Sequence, residues 1–274
     1  MTAEEQLRAY VSYFRDMGVY DFYRRGEPGV GLVAPDVVPE VVAAPVMEAL
    51  PEEVEQVRPG IPAAASVPLV SLDARLPRAD AVADKAAALA ALREEIGDCT
   101  RCPLAYAGRR TVVFGDGDPD AEVMFVGEGP GADEDVSGVP FVGKAGQLLG
   151  NMIGAMGLTR ERVYIANVVM CRPPANRVPE PVEASTCSQF LARQIDVVRP
   201  KVIVALGSTA ATYLLGVKQP LASLRGKWHE VRGAKVVVTY HPAFLLRDPR
   251  MKGEAWKDLQ TVMAELNLKA PARP

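Results

Sequence analysis

Several kinds of run are missing from this 274-residue chain. No apolar stretch approaches the roughly 18 residues that cross a bilayer, which excludes a membrane-spanning helix. The first ten residues, MTAEEQLRAY, carry neither a basic patch nor an apolar core, so no secretory leader is expected and the chain is read as cytoplasmic. Charge of one sign is lacking as well: 31 Lys and Arg stand against 34 Asp and Glu, a net of −3. A dedicated, strongly basic nucleic-acid binder is excluded on that balance, and any cationic surface must be local. The excess acid lies at the front. Residues 1–90 hold 8 basic and 14 acidic residues, whereas residues 91–274 hold 23 and 20. Cysteine is scarce, at four residues. In a cytoplasmic chain disulfides are disfavoured, and metal ligation is the better expectation for them.

The chain divides by composition. Over residues 3–25, Leu7, Tyr10, Val11, Phe14 and Met17 recur at spacings of three and four, the period of an amphipathic helix. Thr2 with Glu5 resembles a capping box, and Gly26 ends the pattern. Residues 1–26 are thus expected to form one helix that docks on the main domain or binds a protein partner. Residues 27–80 have no aromatic residue but nine prolines. Proline removes ladder and helix donors, and without rings there is little apolar area to offset ordering entropy. An extended, disordered linker is expected there. From residue 81 to 274 a compact domain is expected. Residues 81–97 read as a helix, followed by apolar runs at 112–114, 122–126, 163–169, 202–206 and 236–239. Helical stretches at 145–156, 181–198, 208–215 and 253–266 lie between or after them. This alternation predicts an α/β fold, a parallel sheet with helices on both faces. Its ligand crevice should lie beyond the carboxyl ends of the strands.

Cys99 and Cys102 form a C-x2-C pair, while Cys171 and Cys187 are separated by fifteen intervening residues. Four thiolates suit either zinc or a [4Fe–4S] cluster. The wide second pair departs from a zinc ribbon, and Pro103 after Cys102 resembles the C-P junction of cluster-binding runs. Two other segments imitate nucleotide sites. The stretch 138–145, GVPFVGKA, misses a phosphate-binding P-loop because Ala145 has no oxygen for Mg²⁺ and Pro140 removes an amide. The stretch 127–132, GEGPGA, fits G-x-G-x-x-A at a strand end, but Asp133, Glu134 and Asp135 follow and would repel a pyrophosphate.

Three segments remain: GEGPGADEDVSGVPFVG at 127–143, IANVVMCRPP at 165–174 and HPAFLLRDP at 241–249. Together with the four cysteines they resemble the family 4, iron–sulfur type of uracil-DNA glycosylase, over about residues 92–265. The resemblance implies a three-layer α/β/α domain with a central four-stranded, mostly parallel sheet. It also implies a [4Fe–4S] cluster on Cys99, Cys102, Cys171 and Cys187, and hydrolysis of the bond joining uracil to deoxyribose in single- or double-stranded DNA. The target base must leave the stack to be reached. Roles follow by position. Phe141 would stack on the flipped base. Asn167 would accept from uracil N3–H and donate to O4, a pattern that cytosine reverses. Glu134 would wall off C5 against the thymine methyl. His241 would donate to O2 as negative charge grows there. The water-activating Asp of the best-known branch is replaced by Gly129, which leaves Glu128 as the candidate for holding the water. Amides near Gly129 and Gly131 would add donors toward O2.

The same resemblance makes Leu245 the first choice, and Leu246 the second, for an apolar wedge that enters the base stack. Arg247, Arg250 and Lys252 would meet phosphates, as would Arg172 and Arg177. A related branch traps its product covalently through a histidine in a basic loop. The segment 171–187 contains none, so ordinary turnover by a monomer is expected. The alternatives are a non-catalytic DNA-binding iron–sulfur protein of the same fold and a small-molecule nucleotide hydrolase.

Overall fold

The structure is a computed structural model that describes Leu69, residues 71–75 and residues 77–271. The helix expected over 3–25 and the linker through residue 68 lie outside the described residues. The strands are β1 (Asp116–Gly117), β2 (Val123–Gly127), β3 (Tyr164–Asn167), β4 (Val202–Leu206), β5 (His229–Val231) and β6 (Ala234–Thr239). The helices are α1 (Leu72–Arg75), α2 (Lys85–Ile96), α3 (Ala132–Ser137), α4 (Lys144–Ala155), α5 (Pro181–Val198), α6 (Gly207–Leu215), α7 (Leu221–Leu224), α8 (Pro242–Arg247) and α9 (Lys252–Glu265). None of these helices is long and apolar enough to cross a membrane.

The sheet order is β1-β3-β2-β4-β6-β5. The four inner strands run parallel, as the alternation of elements requires. Two short antiparallel edges widen the sheet beyond the expected four strands. One edge arises because β5 and β6 form a hairpin across Arg232 and Gly233, both at positive φ (51° and 74°), the pairing of conformations a tight hairpin needs. Val112–Phe114, expected as a strand, joins no ladder. Val113 N–H reaches Met170 O at 2.8 Å, and the chain then swings away at Gly115 (φ 147°).

Successive strand residues point to opposite faces, and each face has its own core. Met124, Val126, Ile203 and Val236 pack against α2, α5 and α6. Val123, Phe125, Ile165 and Val237 pack against α4 and α9. The result is the expected three layers. Inner strands buried on both faces explain why their sequences read as unbroken apolar runs.

The end of the supposed linker is a correction. Leu72, Asp73, Pro77 and Ala79 are bound to the domain beside a buried ion pair. Arg232 and Asp196 are both nearly inaccessible and bonded to each other. The remaining guanidinium donors of Arg232 reach Leu72 O at 3.0 Å and Pro77 O at 3.1 Å. Ala79 N–H donates to Asp196 at 3.0 Å, and Leu72 is fully buried. A buried charge pair left short of hydrogen bonds is costly, so these carbonyls offset its desolvation. Proline content gave no sign of this partner, which lies more than a hundred residues downstream.

Candidate active site

All four parallel strands end at one cleft of about 760 Å³. Glu128 follows β2, Asn167 closes β3, Gly207 follows β4, and Tyr240 and His241 follow β6. Phe141, Asn167, His241, Glu128, Gly129, Gly131 and Glu134, expected to act together, all line it.

Asn167 is 1% exposed, and its Oδ1 has no hydrogen-bond partner among the described residues. An orphaned buried acceptor is costly unless a ligand donates to it. Gly127, its register partner on β2, makes room: a Cβ there would strike Asn167 Oδ1 and the Phe141 ring.

Phe141 is buried and sits at φ 55°, a strained region for a bulky residue. Two features hold it there. Gly146, in the first turn of α4, lets the Phe141 backbone pass where any side chain would collide. Arg160, in the turn before β3, donates to Phe141 O at 3.0 Å and also to Pro140 O. Its Nε lies 3.5 Å from Asp116. No motif marks Arg160. The Phe141 ring lies 5.6 Å from that of His241, tilted by 33°.

His241 caps α8, its Nδ1 accepting from Ala243 N–H at 3.1 Å. In a neutral ring that places the proton on Nε2, which becomes a donor. Burial drives the pKa down, to about 4, and the Arg247 charge adds to this while Glu134 opposes it. The imidazole is therefore neutral at pH 7. Gly207 (φ 91°) admits the ring, since a Cβ there would lie 3.1 Å from His241 Cβ.

Glu128 accepts from the Thr209 hydroxyl at 2.5 Å. Thr209 belongs to the first turn of α6, so the carboxylate faces a helix N-terminus, a favourable setting for negative charge. The sequence reading missed Thr209. Gly129 is enforced sterically: a Cβ would meet Val169 Cγ2 at 2.7 Å, and Val169 is fully buried. An aspartate has no room at this position.

Glu134 lines the cleft, but its carboxylate is engaged. It accepts from Gly131 N–H at 3.0 Å and from Val142 and Gly143 N–H at 2.9 Å each. Three backbone amides turn this side chain into the brace of the 127–143 loop. The Gly131 amide is thereby withdrawn from the role of a donor toward the ligand.

The expected DNA contacts divide. Leu245, the first choice for a wedge, is 1% exposed and part of the interior, because this position of α8 faces inward. Leu246, the second choice, is 44% exposed. Arg247 is exposed and lines the cleft. Arg172 is half-buried and bonded to Asn176 at 2.9 Å. Arg177 is committed to the fully buried Glu183, at 2.8 and 2.7 Å, and Arg250 to Asp248, at 2.8 and 3.0 Å.

The four cysteines are free and gather beside the core that packs on α5. No three metal-ligating side chains among the described residues meet at a single-ion site. Even so, each of the other three sulfurs bears on Cys187 electrostatically. Burial raises the thiol pKa of Cys102, Cys171 and Cys187, with Cys171 pushed up to about 12. Donors nevertheless point at the sulfurs. Met170 N–H lies 3.3 Å from Cys187 Sγ, Arg101 3.5 Å from Cys99 Sγ and Arg109 3.6 Å from Cys171 Sγ. Buried thiols that resist ionisation yet face hydrogen-bond donors suit a group that brings compensating positive charge.

An aromatic ring, a buried amide and a neutral imidazole thus meet in one cleft at the strand ends of the sheet. Residues 114–260 match the uracil DNA glycosylase superfamily, and the chain belongs to it. Among its relatives are proteins named type-4 uracil-DNA glycosylase. The one from Thermotoga maritima is 48% identical over 57% of this chain and 81% of its own. Those from Pyrobaculum aerophilum and Archaeoglobus fulgidus are 44% and 42% identical, each over 61% of this chain and 89% and 88% of their own.

Proposed function

We propose that this chain is a uracil-DNA glycosylase that flips uracil out of DNA and hydrolyses its N-glycosidic bond, starting base-excision repair. The observation that carries the reading is the pairing, in one cleft, of a buried acceptor without a partner among the described residues and a neutral imidazole with its proton on Nε2.

Asn167 Oδ1 accepts from uracil N3–H, and its amide N–H donates to O4. Cytosine carries a lone pair at N3 and an amino group at C4, so it leaves both ends of the amide unpaired, the form of discrimination that costs most. Phe141 supplies a rigid face for the ring. As the glycosidic bond breaks, negative charge accumulates on O2, and His241 Nε2–H donates to it without carrying charge of its own. Glu128, fixed by Thr209, holds the water that attacks the sugar once the base has begun to leave. Leu246 fills the vacated space in the stack, and Arg247 and Arg172 meet phosphates. Glu134 acts through the loop it braces as well as by closing the cleft at C5.

Cys99, Cys102, Cys171 and Cys187 would hold a [4Fe–4S] cluster. Bound, it supplies positive charge that keeps the thiolates ionised and a staple between the 99–102 loop, the segment after β3, and α5. Purified protein should contain about four irons per chain, and a Cys171→Ser chain should lose both iron and thermal stability. Residues 1–26 are read as a helix that docks on the main domain or binds a protein partner, and the chain as a cytoplasmic monomer acting on single- or double-stranded DNA.

The test is incubation with a uracil-containing oligonucleotide followed by alkali. Strand cleavage at uracil is expected. Binding without cleavage in either strand form would favour a non-catalytic base sensor.

A further inference from the structure

We propose that the cleft contains a second base-stacking subsite, built on Phe244, that receives the nucleobase adjacent to the excised uracil. This rests on the glycosylase reading and extends it to a neighbouring nucleotide.

The subsite is the last member of a stack anchored in the fold. Arg225 donates to Asp258 at 2.8 Å and to Glu254 O at 3.0 Å, which fixes its guanidinium. That guanidinium lies 4.2 Å from the centroid of the Tyr240 ring and donates to the Tyr240 hydroxyl at 3.0 Å. Tyr240 in turn stacks on Phe244, with centroids 5.2 Å apart and planes within 19°. Tyr240 is thus held by a cation and by a ring. Phe244 is held by Tyr240.

Neither Tyr240 nor Phe244 belongs to the apolar cores, and both line the cleft. Phe244 is half-buried, and Tyr240 is its only ring or cation partner among the described residues. A rigid aromatic residue kept out of the core and left at a cleft wall is a platform. Arg247 stands three residues further along α8, on the same helical face, and also lines the cleft. A ring beside a guanidinium provides for one nucleotide, base and phosphate together. The ligand class follows from the strand's own chemistry. Swinging uracil onto Phe141 strips its neighbour of a stacking partner, and Phe244 replaces that partner. Stacking of this type tolerates any base, because each has a flat face.

The test uses single-stranded uracil oligonucleotides whose 5′ or 3′ neighbour is either a normal nucleotide or a tetrahydrofuran abasic unit. With the wild type, removing the base on one side should raise KM about five- to hundredfold, with kcat little changed. Phe244→Ala should show a similar loss on the normal substrate. On the abasic one, the ratio of wild type to variant should fall by at least fivefold. Phe244→Leu, which keeps apolar bulk for packing, should behave like alanine, and Phe244→Trp should restore binding. An equal defect on every substrate, or full rescue by leucine, would overturn the subsite and leave Phe244 a packing residue. A wild type that excises no uracil from any of these would overturn the glycosylase reading itself.

Discussion

His241→Ala should lower the single-turnover excision rate about 100- to 1000-fold, the usual consequence of removing one donor from a developing oxyanion. The structure also fixes how the rate should depend on pH. With Nδ1 occupied by Ala243 N–H, the donor is Nε2–H of a neutral ring, and burial holds the pKa at about 4. At pH 5.5 a histidine of ordinary pKa would be about 90% protonated, whereas His241 should be only about 3% protonated. The imidazole contributes no acid limb near pH 6.5, so wild-type activity should persist to about pH 5. The same shift couples to stability. The folded chain binds fewer protons than the unfolded one between about pH 4 and 6.5, so this contribution is fully present above 6.5. It is lost as pH falls toward 4, by at most about 3 kcal/mol. Excision of a 5′-labelled oligonucleotide, followed from pH 4.5 to 8, measures the rate, and fluorescence anisotropy measures affinity. An acid limb near 6.5 that disappears in His241→Ala would show an imidazole of ordinary pKa and refute the depressed value, whereas a rate that falls as pH rises through 6.5 would show a charged imidazole at work and refute the neutral-donor argument. A rate unchanged by the substitution would refute the donor altogether.

Other outcomes follow from the geometry. Leu246→Ala should reduce excision from duplex DNA more than from single strands while leaving the melting temperature within about a degree, whereas Leu245→Ala should destabilise the fold by about 2–5 kcal/mol; the reverse pattern in denaturant titrations would reassign the wedge. Arg160→Ala should lower kcat/KM about tenfold by releasing Phe141 from its strained φ, and Arg160→Lys should recover little, since an ammonium lacks the fork that spans two carbonyls. Equal activity of Arg160→Lys and wild type would show that the fork does not matter. Thr209→Val should lower kcat about tenfold with little change in DNA affinity, and Thr209→Ser should restore it. A valine variant with wild-type kcat would mean that the hydroxyl does not position Glu128.

The order of elements was legible in the sequence because strands buried on both faces are apolar throughout, and because 3.6-residue periodicity marks the helices between them. The motifs at 127–143, 165–174 and 241–249 were equally legible, since strand-end loops carry chemistry in short contiguous runs. The edge hairpin was not, because its pairing rests on two positive-φ residues, one of them the arginine Arg232. Nor was the binding of Ala79, whose partner Asp196 lies far along the chain. Leu245 and Leu246 look alike in sequence, and only the orientation of α8 separates core from wedge. Glu134 read as a wall at C5 and Arg177 as a phosphate contact until the structure shows the amides and the buried carboxylate that engage them. Chain order alone carries the layered α/β architecture, the four-thiol set and the ring, amide and imidazole of the motifs. Which nitrogen of His241 faces the cleft, what anchors Glu128 and what holds Phe141 emerge only on folding, because each depends on an atom brought close in space rather than along the chain.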